Sequence, residues 1–284
     1  MLRFTLKVLA LLGLTSAVMA KTFVFTAIPD EDETRLKERF GKVADYLAKE
    51  LGVDVKYIPV KSYAASVAAF RNNQVQMAWF GGLSGVRARL AVPGSQALAQ
   101  GVEDKAFVTY FIAHSSTGLK PSDDFPKAMA GKTFTFGSKG STSGRLMPEY
   151  YIRQAFGKAP EEVFKRVGFS GNHSKTLSLV ASGAYEVGAL NFKVWENEKA
   201  AGKIDMSNVQ IIWKTPPYPD YQWSIRGDVD QQFGTGFMEK VRQALLNMKD
   251  KTLLDAFPRS GFIPASNDDY APIEKVGKEI GLLD

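Results

Sequence analysis

Phe134-Thr135-Phe136-Gly137-Ser138-Lys139-Gly140-Ser141-Thr142-Ser143-Gly144-Arg145, continued by Leu146-Met147-Pro148-Glu149-Tyr150-Tyr151, is the stretch on which the fold turns. It opens with the alternation of a short strand, passes through a Gly/Ser-rich turn and enters helical spacing. Ser141, Thr142 and Ser143 fall where the helix begins, beside backbone N–H groups that have no partner within a helix. Such amides, hydroxyls and the positive end of a helix dipole together can seat an anion with several oxygens. An ordinary capped helix start is the other reading. The stretch is not a Walker loop, because no GxxxxGK[ST] frame occurs and Lys139 precedes the hydroxyls.

Downstream the strand–helix rhythm continues. A strand is expected at Arg166 to Phe169, a helix from Lys175 to Ser182, a strand at Val187 to Leu190 ending in Asn191, and another at Val209 to Trp213. Gly171-Asn172-His173-Ser174-Lys175 is a second polar turn into a helix, so His173 is a ligand candidate as well as a candidate structural histidine. Upstream, Thr22 to Ala27 reads as a strand, followed by Ile28-Pro29 and the acidic run Asp30-Glu31-Asp32-Glu33. Leu36, Phe40, Val43, Leu47 and Leu51 then recur at spacings of three and four, which predicts a helix. The acidic run reads as its solvated first turn answering the dipole, with a metal site as the sharper alternative. Val53 to Val60, a helix from about Ala64 to Asn72 and the strand Val75 to Phe80 complete right-handed βαβ units and a parallel sheet.

Ligands of such sheets lie beyond the C-terminal strand edges. Tyr63, Trp79, Phe80 and Gly81 stand there. Trp79 and Phe80 can equally be core. For Phe80 the following glycines, which admit close backbone approach, favour the pocket. Phe107 to Ala113 is a long apolar strand. Thr215 to Pro219, the extended Tyr221 to Ile225, helical spacing at Phe237 to Met248 and Gly261-Phe262-Ile263-Pro264 close the chain. The expected architecture is therefore α/β with two blocks: residues 21–113 plus 215–284 as one lobe and 114–214 inserted as the other. Each lobe is expected to be a mainly parallel sheet flanked by helices, with two crossover segments between them.

Residues 1–20 read as a secretory signal: Arg3 and Lys7, the apolar core Val8 to Leu14, and Val18-Met19-Ala20, with cleavage after Ala20. The apolar run is shorter than the ~20 residues a bilayer requires. The chain contains no cysteine, which excludes disulfides, thiolate metal sites and a lipid-modified cysteine at the cleavage point. A soluble, exported, cysteine-free chain suits a bacterial periplasm. Net charge is +6, falling to about +4 once Arg3 and Lys7 leave. The charges are interspersed, without the basic stripe that nucleic acid requires. With 45% hydrophobic residues the chain can bury a substantial core.

Catalysis is poorly supported. There are two histidines, His114 and His173, and no GxSxG elbow, HExxH or GxGxxG frame. No catalytic residue, metal or cofactor is assigned.

Tyr63 with its helix, Trp79-Phe80-Gly81, Ser141-Thr142-Ser143-Gly144 with Pro148, Asn172-His173, Pro216 to Pro219 through Arg226-Gly227-Asp228, and Ser260 to Ala265 with Asp269-Tyr270 form a familiar set. The arrangement resembles the substrate-binding proteins of phosphate/phosphite/phosphonate ABC transporters, a class of type II periplasmic binding protein, over nearly all of residues 21–284. The resemblance implies two lobes closing on an oxyanion. Ser141, Thr142 and Ser143 would hold its oxygens, helped by His173, with Tyr63 contributing from the first lobe. An ABC permease and ATPase in the inner membrane would be the partners, and the protein would act as a monomer. It further implies that aminophosphonate binders carry acidic residues near Lys193 and Tyr221, and after the histidine, where Ser174 stands. A site lacking them should disfavour an amine. It would be a donor-only pocket suited to a fully deprotonated tetrahedral dianion, since an unpaired buried acceptor is costly. Asn191, which offers a carbonyl, is the one acceptor in view. Asn172 to Thr176 and Asn191 to Trp195 also resemble a branch of selenate carriers. Selenate or a related oxyanion is therefore the first expected ligand, with phosphite, phosphate or a phosphonate next. An exported phosphoester hydrolase and a sensory oxyanion module are the alternatives.

Overall fold

The structure, a computed structural model, describes residues 21–202 and 205–283. The expected leader lies outside the described residues. The chain runs β1 (Phe23–Ala27), α1 (Glu33–Leu51), β2 (Val55–Tyr57), α2 (Tyr63–Arg71), β3 (Met77–Phe80), α3 (Gly82–Ala91) and β4 (Gln96–Gly101). It crosses to β5 (Thr109–His114), β6 (Thr133–Phe136), α4 (Met147–Phe156), α5 (Pro160–Val163), β7 (Arg166–Phe169), α6 (His173–Ala181), β8 (Val187–Asn191), α7 (Phe192–Ala200) and β9 (Val209–Lys214). It returns through β10 (Gln222–Ile225), α8 (Val229–Phe233), α9 (Phe237–Leu246), α10 (Lys251–Ala256), β11 (Phe262–Pro264) and α11 (Ala271–Glu279).

Two sheets result, ordered β11-β4-β10-β3-β1-β2 and β7-β6-β8-β5-β9. Both are mixed. The βαβ halves β2-β1-β3 and β7-β6-β8 are parallel, while β10, β4 and β11 in the first sheet and β5 and β9 in the second pair antiparallel. The strands that enter each sheet after a crossing, β5 and β10, run against the βαβ direction, and β9, β4 and β11 pair antiparallel with their neighbours. The expected lobe boundary at 113/114 is corrected by one strand: β5 bonds to β8 and β9, so it belongs to the second sheet.

The crossings lie beside each other. Phe107 and Tyr218 exchange backbone hydrogen bonds of 2.8 and 2.9 Å, and the amide of Asp220 donates to the Asp104 carbonyl at 3.0 Å. Beneath them the buried Arg259 holds Asp104 in a two-pronged ion pair of 2.7 and 2.8 Å.

Helix α1 illustrates how sequence becomes packing. Asp32 caps it by accepting from the Thr34 and Arg35 amides, and Gly52 ends it at φ 68°. Its apolar stripe, Leu36, Phe40, Val43 and Leu47, is buried against the first sheet, where Phe40 meets the rings of Phe25 and Trp223. Each such side chain contributes roughly 1.5–3 kcal/mol by leaving water. The second lobe packs both faces of its sheet, with Phe111, Phe134 and Trp213 on one side and Ile112, Leu177 and Leu190 on the other.

Candidate ligand-binding site

The Ser141 turn becomes a single wide helical turn, Thr142–Leu146, that runs into α4. The Leu146 amide reaches back five residues to the Ser141 carbonyl at 3.0 Å. Pro148 follows in the first turn of α4. Lacking an N–H, it leaves the carbonyl of Gly144 without the usual partner, and the Gly137 amide at the end of β6 takes that place at 2.8 Å. Ser141 caps the turn, its Oγ accepting from the Gly144 amide at 2.9 Å. Gly144 must be bare here: a Cβ would stand 3.0 Å from both His173 Cε1 and Ser141 Oγ.

His173 opens α6 behind Asn172, whose side chain caps the helix. It is fully buried, and burial pushes its pKa down to about 4, so the imidazole is neutral at pH 7. Its Nδ1 accepts from the Asn191 amide at 3.3 Å, which leaves the proton on Nε2, facing Ser141 Oγ at 3.5 Å.

The first lobe supplies two more helix starts. Tyr63 begins α2 behind the Ser62 cap, and Gly82 begins α3 behind Gly81. The Gly82 amide donates to Asp220 Oδ1 at 2.8 Å, and the Leu83 amide to Thr142 Oγ1 at 2.9 Å. Gly81 lies against the same two oxygens, where a Cβ would come within 3.2 and 3.3 Å. Asp220 itself sits between Thr142 and Ser143. Tyr63's hydroxyl stands beside Ser141 and near Asp30 and Asp220, without a hydrogen bond of normal geometry.

The lobes also touch through a chain of polar groups. Asn191 Nδ2 donates to the Tyr221 hydroxyl, which donates to Asp30 Oδ2, each at 2.9 Å. The His173 amide donates to the Asp30 carbonyl at 2.9 Å.

Four buried polar atoms here lack any hydrogen-bond partner among the described residues: Tyr63 hydroxyl, Ser143 Oγ, Asp30 Oδ1 and Asp220 Oδ2. Orphaned groups are rare in a settled core, and with Tyr63 beside Ser141 and near both Asp30 and Asp220 they mark a seat for something polar. Burial raises Asp220 to about 7, the Gly82 amide drawing it back. Asp30 rises to about 7 for the same reason, with Glu31 adding to the rise and Arg39 opposing it.

Several expectations change. Ser141, Thr142, Ser143, His173, Tyr63 and Gly81 come together, with Asn191 and Tyr221 immediately behind. Asn191's carbonyl is taken by the α7 cap, accepting from the Val194 amide at 3.0 Å, so it is not the acceptor expected of it. Trp79 and Phe80 are core: Trp79 stacks on Tyr221 at 5.6 Å and Phe80 meets Phe70 at 5.6 Å. Lys193 turns outward, pairing with Glu196 at 3.7 Å over the Phe192 ring. The donor-only pocket is overturned, since Asp30 and Asp220 bring carboxylates into it. The resemblance puts an acidic residue of aminophosphonate binders near Tyr221, a position expected to lack one here, yet Asp220 stands one residue earlier. The Asp30-to-Glu33 run is not one solvated turn either. Asp30 and Glu31 are buried, Glu31 on Arg39 at 2.9 Å, while Asp32 caps and Glu33 faces solvent. Among the described residues no group of three or more His, Asp or Glu could hold a metal, and no helix is long and apolar enough to cross a membrane.

A family model described as "ABC transporter, phosphonate, periplasmic substrate-binding protein" matches residues 25–270. A curated relative, the probable ABC transporter phosphite binding protein PhnD1 of Prochlorococcus marinus, is 41% identical over 264 residues, covering 90% of this chain and 89% of the relative. The solved structure of that PhnD1 in complex with methylphosphonate superposes with a TM-score of 0.88 over 92% of this chain and 98% of its own. A binding-protein component of an ABC phosphonate transporter from Pseudomonas aeruginosa shares the fold at 23% identity, with a TM-score of 0.79 over 90% of this chain and 85% of that one.

Proposed function

The chain belongs to the family of periplasmic substrate-binding proteins of phosphonate ABC transporters, and from that premise we propose that it captures a phosphorus oxyanion bearing one protonated oxygen, phosphite or methylphosphonate before phosphate. It is a substrate-binding protein rather than an enzyme, has the two-lobed type II fold and works in the periplasm with a permease and ATPase. Selenate, expected first from sequence, finds no support among the relatives, and the carboxylates argue against it.

The observation that carries the reading is Asp220 Oδ2, a buried acceptor beside Thr142 and Ser143 without a hydrogen-bond partner among the described residues. Phosphorus oxyanions retain a proton near neutral pH and can donate it to that oxygen. Selenate and sulfate have none to donate, so Asp220, whose pKa burial raises to about 7, would have to take up a proton itself to accommodate them. The donors would be the hydroxyls of Ser141, Thr142, Ser143 and Tyr63, the turn's amides and the Nε2–H of His173. Both walls come from one chain, which supports a monomer as the working unit.

Calorimetry at pH 7 with phosphite, methylphosphonate, phosphate, 2-aminoethylphosphonate, sulfate and selenate tests this. Phosphite or methylphosphonate should bind at least about 100-fold more tightly than sulfate or selenate, an interval of roughly 3 kcal/mol. Asp220→Asn should shrink that interval by about tenfold or more, because its amide can donate to a bare oxygen. Selenate binding as tightly as phosphite to the native protein would defeat the reading.

A further inference from the structure

We propose that Tyr63 is the partition that limits the ligand's substituent to hydrogen or methyl, separating the oxyanion seat from an apolar chamber behind it. The inference rests on the oxyanion reading above and concerns the same seat. The ring of Tyr63 is 2% exposed, and its hydroxyl end stands beside Ser141 in the seat. Tyr63 also lines a solvent-open, mostly apolar cleft of about 650 Å³ walled by both lobes, with Val67 and Ala68 of α2, Ser84 of α3, Lys139 and Phe169 opposite, and Arg71 and Arg87 also in its lining. The turn at Gly140 closes on the same residue: a Cβ there would come within 3.0 Å of Tyr63 Cβ. A cavity of roughly 150 Å³ lined by apolar side chains is enough to admit benzene. The chamber therefore has room for a propyl or phenyl group, and Tyr63 is the residue it shares with the seat. Phe169, one of the few large apolar side chains exposed among the described residues, lies at its rim.

The test is calorimetry of phosphite, methylphosphonate, propylphosphonate and phenylphosphonate against the native protein, Tyr63→Phe and Tyr63→Ala. The native protein should bind methylphosphonate at least about 100-fold more tightly than phenylphosphonate, on the scale of a pocket's response to excess size. Tyr63→Phe keeps the wall and loses the hydroxyl: binding of the small ligands should weaken by about tenfold with the ranking kept. Tyr63→Ala joins seat and chamber, so the methyl-to-phenyl ratio should fall by about tenfold or more even though the small ligands bind less well. Filling the chamber again with Ala68→Phe in the Tyr63→Ala background should restore the preference for methyl. If Tyr63→Ala does not fold, Tyr63→Leu carries the same expectation. A ratio unchanged in Tyr63→Ala, or equal affinity of the native protein for the methyl and phenyl compounds, overturns the partition while leaving the oxyanion reading intact. Failure of every compound to bind the native protein overturns both.

Discussion

Asp30 receives the Tyr221 hydroxyl on one oxygen, lies next to Glu31, and is offset by the Arg39 guanidinium across from it. Burial raises its pKa from an ordinary 3.8 to about 7, so the folded, closed protein holds this proton more tightly than the unfolded chain does. The stabilisation is complete below the ordinary carboxylate range and is lost as pH climbs through about 7. Asp220, raised to about 7, adds in the same direction. His173 opposes them between about 4 and 6.5, because its depressed pKa makes the folded state reluctant to take a proton there. Two carboxylates outweigh one imidazole, so these groups should lower the melting temperature of the ligand-free protein between pH 5 and pH 7.5. Asp30→Asn, which keeps the shape and removes the charge, should flatten that slope. A melting series in which native protein and variant have the same pH profile would show that Asp30 is not held as described.

At the scale of elements, the site is a meeting of helix entrances, and its tightest tolerance is at the wide turn before α4. Gly144→Ala places a methyl against His173 and Ser141 at 3.0 Å, with the Gly137 backbone at 3.2 Å on the remaining side. None of these can yield without loosening the cap or the imidazole. The variant should lose about 1–3 kcal/mol in urea unfolding and also bind its ligand more weakly. Full stability with full affinity would mean that the turn has slack the geometry denies. This entrance was legible in sequence because serines, glycines and a proline each constrain backbone geometry locally. The α6 entrance was legible for the same reason. The α3 entrance was noticed only through Gly81 and Gly82, and β4 left no reading, since Gln96-Ala97-Leu98-Ala99-Gln100-Gly101 has neither β-branched residues nor a helical stripe. Asp30 and Asp220 were missed for a different cause. Burial of a carboxylate depends on what the other lobe brings to it, and no local pattern records that. Antiparallel β5 was assigned to the wrong lobe because pairing partners, unlike periodicity, are set across long stretches of chain.

For the whole molecule, closure is held partly by contacts that never approach the seat. Arg35 on α1 pairs with Glu31 of its own lobe and reaches across to Glu198 on α7 at 3.1 Å, where Ser174 also donates to that carboxylate at 3.0 Å. Glu198 is nearly buried, with 6% of its side chain exposed, and Arg35 is at 26%, so the pair is screened less than a surface bridge and more than a core one. A ligand's apparent affinity depends on how much of the closing free energy the protein supplies by itself. Glu198→Gln keeps the size and the Ser174 hydrogen bond but removes the charge. It should raise the dissociation constant by about threefold to tenfold for every ligand alike, through faster release. The preference among oxyanions should not move, because Glu198 touches none of the donors at Ser141 to Ser143. Added salt should narrow the gap between native protein and variant, and small-angle scattering should record a larger radius of gyration for the variant at subsaturating ligand. Were the variant instead to change the ranking of phosphite against sulfate, the ion pair would have to act on the seat itself, and the separation between a selective seat and a remote latch would fail.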